Sequence, residues 1–194
     1  MANSFGYNGF TPYRHLGGGV VRAEELNIAT SGTTGFNDNI FYGDVVKQNA
    51  DGTIESAAGG DTALIGVFAG CYYTAADGSI KFTKNWVAST AVKTGSTIRA
   101  MVFVDPNISY LVTSDAATAT ATTQIGANAD FAAGTGNSAT GVSGSYLDLT
   151  SLTANAANFR IIGFPDMPGN VVGEEKARVE VKFAEHLRLT AAGI

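Results

Sequence analysis

Alternation with a period of two dominates the apolar pattern of this chain. Between Thr97 and Val104, Ile98, Ala100, Val102 and Val104 fall on one side and Arg99, Met101 and Phe103 on the other. Lys176–Phe183 repeats the pattern, with Ala177, Val179, Val181 and Phe183 set against Arg178, Glu180 and Lys182. Successive side chains of a strand point to opposite faces, so such runs predict strands with one buried and one wet face. Ser79–Trp86 alternates as well, Ile80 and Phe82 against Lys81 and Thr83. Ala63–Tyr73 is apolar almost throughout and predicts a strand buried on both faces.

Turn chemistry separates these runs at short intervals. Ile40–Gln48 and Thr53–Glu55 flank Asn49-Ala50-Asp51-Gly52, and a second Asp-Gly closes the turn Thr74–Gly78. An Asp-Gly pair between extended runs predicts a hairpin, because glycine takes the positive φ that the turn needs. Lys93–Ser96 is a third turn, and Asn107–Val112 a further apolar run. Strands this short and this closely spaced predict an all-β barrel or sandwich centred on Ala63–Pro106.

Three segments fit no period. Residues 1–19 carry Phe5, Tyr7, Phe10 and Tyr13 among Gly, Asn and Pro, and end in three glycines. Aromatics in such a segment need a surface to cover. It is either a tail over its own core or an N-terminal arm on a neighbouring subunit; on the second reading Phe5, Tyr7, Phe10, Tyr13 and Arg14 make inter-subunit contacts. Val20–Ile28 fits a strand or a helical turn. Residues 113–157 form a Gly/Ala/Thr-rich excursion. Ile125, Phe131, Val142 and Leu147 recur through it and predict an ordered, irregular insertion with short strands. The core domain then comprises residues 20–112 and 158–194, with Asn158–Phe164 returning to the sheet and Glu185–Ile194 a short tail.

Composition narrows the class. Charged residues are 15% of the chain, against about 25% in an average domain. Small polar residues replace them, which suits an extended all-β protein that buries surface against other proteins. Net charge is −5, and no Lys, Arg or His occurs between Ala100 and Phe159. Nucleic-acid binding draws on clustered cations, so nucleic acid is not an expected partner. Nor is a membrane, since no apolar run reaches about 20 residues. The N-terminus lacks the basic and apolar regions of a signal peptide, so synthesis and folding in a cytoplasm are expected.

Candidate chemistry is sparse. Cys71 is the single cysteine; its aromatic neighbours predict a buried hydrophobe. Gly134–Gly141 is glycine-rich, but it has neither the dinucleotide spacing nor the lysine of a phosphate loop. His15 and His186 lie near opposite ends, and no Gly-x-Ser-x-Gly elbow is present. Asn49–Gly52 is too short for an EF-hand loop. No catalytic residue, cofactor or metal site is expected, and the chain is not read as an enzyme.

Several phrases carry a family resemblance: Gly43-Asp44-Val45-Val46 followed by Asp51-Gly52 and Ile65-Gly66-Val67, the run Lys93–Val104, and Arg178-Val179-Glu180-Val181-Lys182. Together they resemble head decoration, or cement, proteins of tailed bacteriophages, over roughly Tyr42 to Phe183. The resemblance implies a β-barrel or β-tulip-like sandwich on the outer surface of the capsid, in the virion. It implies a homotrimer that clamps neighbouring major capsid protein subunits, with no catalytic residues. Residues Thr113–Leu152 have no counterpart in that family. Three other readings stand beside it: another virion component, such as a head fibre or tail protein; a carbohydrate-binding or adhesin module with Trp86, Tyr72 and Tyr73 as stacking platforms; and a hydrolase, for which no triad, paired-acid or metal set is found.

Overall fold

Strands dominate the computed structural model, which describes residues 3–31 and 34–189. In chain order they are β1 (Thr11–His15), β2 (Glu24–Ile28), β3 (Thr30–Ser31), β4 (Thr34–Gly35), β5 (Val45–Gln48), β6 (Thr53–Ser56), β7 (Leu64–Thr74) and β8 (Ile80–Thr83). There follow β9 (Ile98–Phe103), β10 (Ile108–Thr113), β11 (Asn128–Ala129), β12 (Phe131–Ala132), β13 (Tyr146–Leu147), β14 (Phe159–Gly163) and β15 (Arg178–Phe183). Helix among the described residues is confined to two 3-10 turns, Thr122–Gln124 and Leu149–Ser151. The protein is all-β, as the alternation predicts.

Five strands close into a small barrel in the order β5-β6-β2-β9-β7, with β7 pairing back onto β5. Every contact in the ring is antiparallel except β2 with β6. Both Asp-Gly hairpins form, β5–β6 and β7–β8. In the second, Gly78 adopts φ +85° and its N–H bonds the Ala75 carbonyl at 2.9 Å.

β7 makes closure possible. One side pairs with β5 through Leu64–Val67 and with β8 through Cys71–Thr74, while the other follows β9. The register slips opposite β5 at Val46/Lys47 and opposite β9 at Phe68/Gly70. Such irregularities bend and twist a strand, which a small closed sheet demands.

A second sheet runs β1-β10-β15-β14-β11 and lies against the barrel. Two cores result. One fills the barrel with Ile28, Ile54, Ile65, Phe68, Ile98, Ala100, Val102 and Trp86. The other lies between the sheet and the barrel's outside, where Val45, Leu64 and Val67 meet Ile108, Tyr110, Val179, Val181, Phe159 and Phe183. β7 is thus buried on both faces, as its unbroken apolar run predicts, and contributes to both cores.

The N-terminal segment is extended and lies on its own chain. Phe10 has no exposed surface and stacks on Phe159 with ring centroids 4.4 Å apart. β1 is the edge strand of the second sheet, paired with β10. Gly9 sits at φ +67°, and a Cβ there would lie 2.5 Å from the Gly43 carbonyl oxygen, so only glycine allows this approach. Of the two readings of residues 1–19, a tail over its own core matches these contacts.

The excursion is ordered, with β11, β12 and β13 as its short strands, and carboxylates fasten it. Asp44 accepts hydrogen bonds from Ser143 Oγ at 2.5 Å, Ser145 Oγ at 3.3 Å and the Phe41 N–H at 2.7 Å. Asp115 accepts from the Ala117, Thr118 and Leu149 N–H groups. Burial drives the Asp44 pKa up, against the pull of its hydroxyl and amide donors. Residues 20–28 resolve as a strand, Glu24–Ile28, and the loop after them holds the pair β3–β4. Of the expected tail, residues 185–189 pack on the barrel through His186, and 190–194 lie outside the described residues.

Candidate interaction surface

The outer face of the barrel carries the most unusual surface. Strand register places Asn27, Arg99, Tyr72 and Phe82 in one row across β2, β9, β7 and β8. Their neighbours along the strands are Glu25, Met101, Thr74 and Ile80. Ile80 is 65% exposed, Phe82 76% and Met101 42%. Tyr72 stacks on Phe82 with centroids 5.3 Å apart and donates its hydroxyl to Glu25 Oε2 at 3.0 Å. That bond to a carboxylate raises the Tyr72 pKa.

Alternation in β8 predicts that its apolar side is the buried one. The structure reverses this. β8 faces outward with Tyr72 and Thr74, while the barrel interior is already filled by Cys71 and Trp86, with Tyr73 packed against them. Two large apolar side chains therefore stand on a sheet edge, mostly uncovered by the described residues apart from the Tyr72 ring beside Phe82. A groove of about 300 Å³ runs beside them, lined by Tyr72, Tyr73, Thr74, Ile80, Thr97 and Arg99 among others. Among the described residues Arg99 forms no ion pair, and the Oδ1 atom of Asn27 in the same row is buried without a hydrogen-bond partner.

The five N-terminal candidates are placed differently from one another. Phe10 is spent inside the second core. Phe5 and Tyr7 are half-buried, with the Arg178 guanidinium 5.4 Å above one ring and the Lys176 ammonium 5.3 Å above the other. Tyr7 also stacks on Tyr146 at 4.6 Å. Arg14 makes a two-pronged pair with Glu180, 2.7 and 2.9 Å, across β10. Tyr13 keeps a large open surface, 46% of its maximum, and the Arg14 side chain stays exposed despite its pair.

Residues that sequence reasoning weighed for chemistry hold the fold instead. His15 Nδ1 accepts from the Gly17 and Gly19 N–H groups, which leaves Nε2–H to donate to Asp105 at 3.0 Å. His186 is buried, with Nε2 2.9 Å from the Ile65 carbonyl oxygen. Burial pushes the Cys71 thiol pKa up despite its contact with Thr83. In the glycine-rich loop, Gly136 packs on the Phe41 ring and Gly134 on the Gly144 backbone, so these glycines serve close approach. Trp86 is fully enclosed and donates its indole N–H to the Phe36 carbonyl at 2.9 Å, which withdraws it as a sugar-stacking platform. Among the described residues no group of His, Cys, Asp and Glu is arranged to hold a metal ion, and no helix is long and apolar enough to cross a membrane.

Met101 falls on the Arg99 side of β9 in the sequence and is exposed there, but nothing in the sequence singles out Ile80 and Phe82 as surface residues. The pattern of these two is that of core positions, and only the strand order exposes them. Comparison with protein-family models, with curated proteins and with solved structures finds no match.

Proposed function

We propose that this chain is a structural virion protein. It binds the outer surface of a phage capsid and cements neighbouring major capsid protein subunits, as a homotrimer. The observation that carries the reading is the open apolar face of Tyr72, Ile80, Phe82 and Met101 on a barrel with few charges. An apolar patch on a soluble β-domain marks a contact surface. Many modest contacts repeated over a lattice add up to firm attachment, because each subunit already held raises the effective concentration of the next contact. The resemblance of several of its phrases to decoration proteins supports the virion setting.

Native mass and co-sedimentation test it together. The purified protein is expected to run as a trimer and to pellet with expanded shells of the matching phage. The variant Phe82→Glu is expected to fold normally and to lose at least about ten-fold in shell occupancy, the scale of one interface anchor. A protein that stays in the supernatant at saturating shell concentration overturns the reading.

A further inference from the structure

The two ends of the barrel and sheet system treat their edges differently. β1 carries Pro12, which has no N–H to offer, and its register slips between Pro12 and Arg14. β11 is covered by an exchange of backbone bonds between Asn128 and Thr153, both 2.9 Å. Proline, bulges and cover are the usual means of blocking strand addition. Among the described residues β8 has none of these three, and Lys81 is its one edge-blunting feature. It pairs there with β7 alone, without a register slip, and its residues are exposed on both faces as far as Phe82.

The hairpin geometry also says where its backbone points. The Ala75 N–H bonds the Ser79 carbonyl at 2.8 Å, so Ala75 and Ser79 are a hydrogen-bonded pair. Bonded and non-bonded pairs alternate along an antiparallel ladder. Tyr73–Lys81 and Cys71–Thr83 are then bonded, and Thr74–Ile80 and Tyr72–Phe82 are not. The N–H and C=O groups of Ile80 and Phe82 therefore face away from β7, towards open space. The same two residues present the exposed apolar side chains.

Charge selects the guest. Lys81 lies on the edge, Lys84 just beyond it, Lys93 on the adjoining turn and Arg99 in the groove. The nearby acids are fewer: Asp77, which accepts from Ser79 and lies within electrostatic reach of Lys81, and Glu25, which accepts from Tyr72. A basic edge on a chain of net charge −5 complements an acidic strand. We propose that β8 is a strand-addition site. It takes an extended protein segment in which apolar residues alternate with Asp or Glu. The guest's backbone bonds Ile80 and Phe82, its apolar side chains lie beside theirs, and its carboxylates fall on the opposite face, where Lys81 stands. The proposal rests on the reading above in taking this face as the contact surface; it does not require the partner to belong to a shell.

The probe is a short synthetic peptide alternating valine and glutamate, with a valine–lysine peptide as control, titrated into the full chain under NMR. Saturable binding is expected, at least about ten-fold tighter for the glutamate peptide. The Ile80 and Phe82 amides are expected to gain protection from hydrogen exchange on binding, while Lys81 is protected before it. Ile80→Pro removes an outward N–H without touching the β7 ladder and is expected to abolish binding; Ile80→Thr keeps the N–H and is expected to retain it within a few-fold. Absent binding, equal affinity for both peptides, or binding without new protection at Ile80 and Phe82 each overturns the proposal. Shell binding without peptide binding sinks strand addition and leaves the virion reading standing; peptide binding without shell binding does the reverse.

Discussion

His186 shows how much one side chain can set the pH response of this fold. A carbonyl only accepts, so Nε2 carries the proton donated to Ile65, and Nδ1 accepts from the Arg188 N–H at 3.1 Å. The neutral ring satisfies both neighbours, and a second proton would face an N–H. Burial accordingly pulls its pKa down to about 4, with the nearby Arg188 adding to the effect. An unfolded histidine titrates near 6.5, so above that pH neither state is charged and the stability the ring confers is complete. As the pH falls from about 6.5 towards 4 the unfolded chain takes up the proton first, and on the order of 3 kcal/mol is lost. Urea unfolding at pH 7 and pH 5 is expected to show this slope in the native chain and a flatter one in His186→Gln. Equal slopes in the two proteins would contradict the assignment. None of this was legible in the sequence, where His186 sits in an unpatterned tail whose partner lies 121 positions away.

At the scale of elements, local pattern and long-range placement part company. The alternation of β9 and the two-faced apolar run of β7 were legible because period and burial coincide there; β15 was legible as a strand, but its expected wet face is largely covered, with Glu180 buried under Arg14. β1 was not, since Thr-Pro-Tyr-Arg-His has no period and gains its strand only by lying along β10. β8 was legible as a strand and misread in orientation, because exposure at an edge depends on strand order. The placement of Phe10 also changes what the N-terminal segment can be asked. Phe10→Ala is expected to cost about 3–5 kcal/mol, the range for truncating an enclosed phenylalanine. Removing residues 1–19 would therefore open the second core and, with Arg14 gone, strand the Glu180 carboxylate, whose side chain is only 7% exposed. Denaturant midpoints of Phe10→Ala and Tyr13→Ala separate the two roles. The first is expected to fall far, the second to stay near the native value, which makes Tyr13 the clean position for testing contact with another molecule.

For the whole molecule, the shared strand β7 argues that neither core survives alone. Val45, Leu64 and Val67 belong to barrel strands but are buried against Ile108, Val181 and Phe183 of the other sheet. Losing either layer exposes the other. Trp86 reports on the barrel, and amide exchange in β15 on the sheet. Both are expected to give the same urea midpoint, a single cooperative transition; two separated midpoints would show that the layers unfold independently. Barrel closure itself was beyond the sequence, because the parallel pairing of β2 with β6 leaves no mark on either strand.

The order of the second sheet has a consequence for how the chain is made. The five strands of the barrel ring are all synthesised by Phe103, but Val45, Leu64 and Val67 on its outside stay uncovered until the second sheet forms. The sheet joins β1 to β15 through β10, so β1 leaves the ribosome long before the strand that completes its sheet. Until Arg178–Phe183 emerges, Phe10 and the inner face of β10 have no complete cover. The nascent chain thus passes through a stage in which neither layer has its full cover, and β15 acts as the latch that completes both.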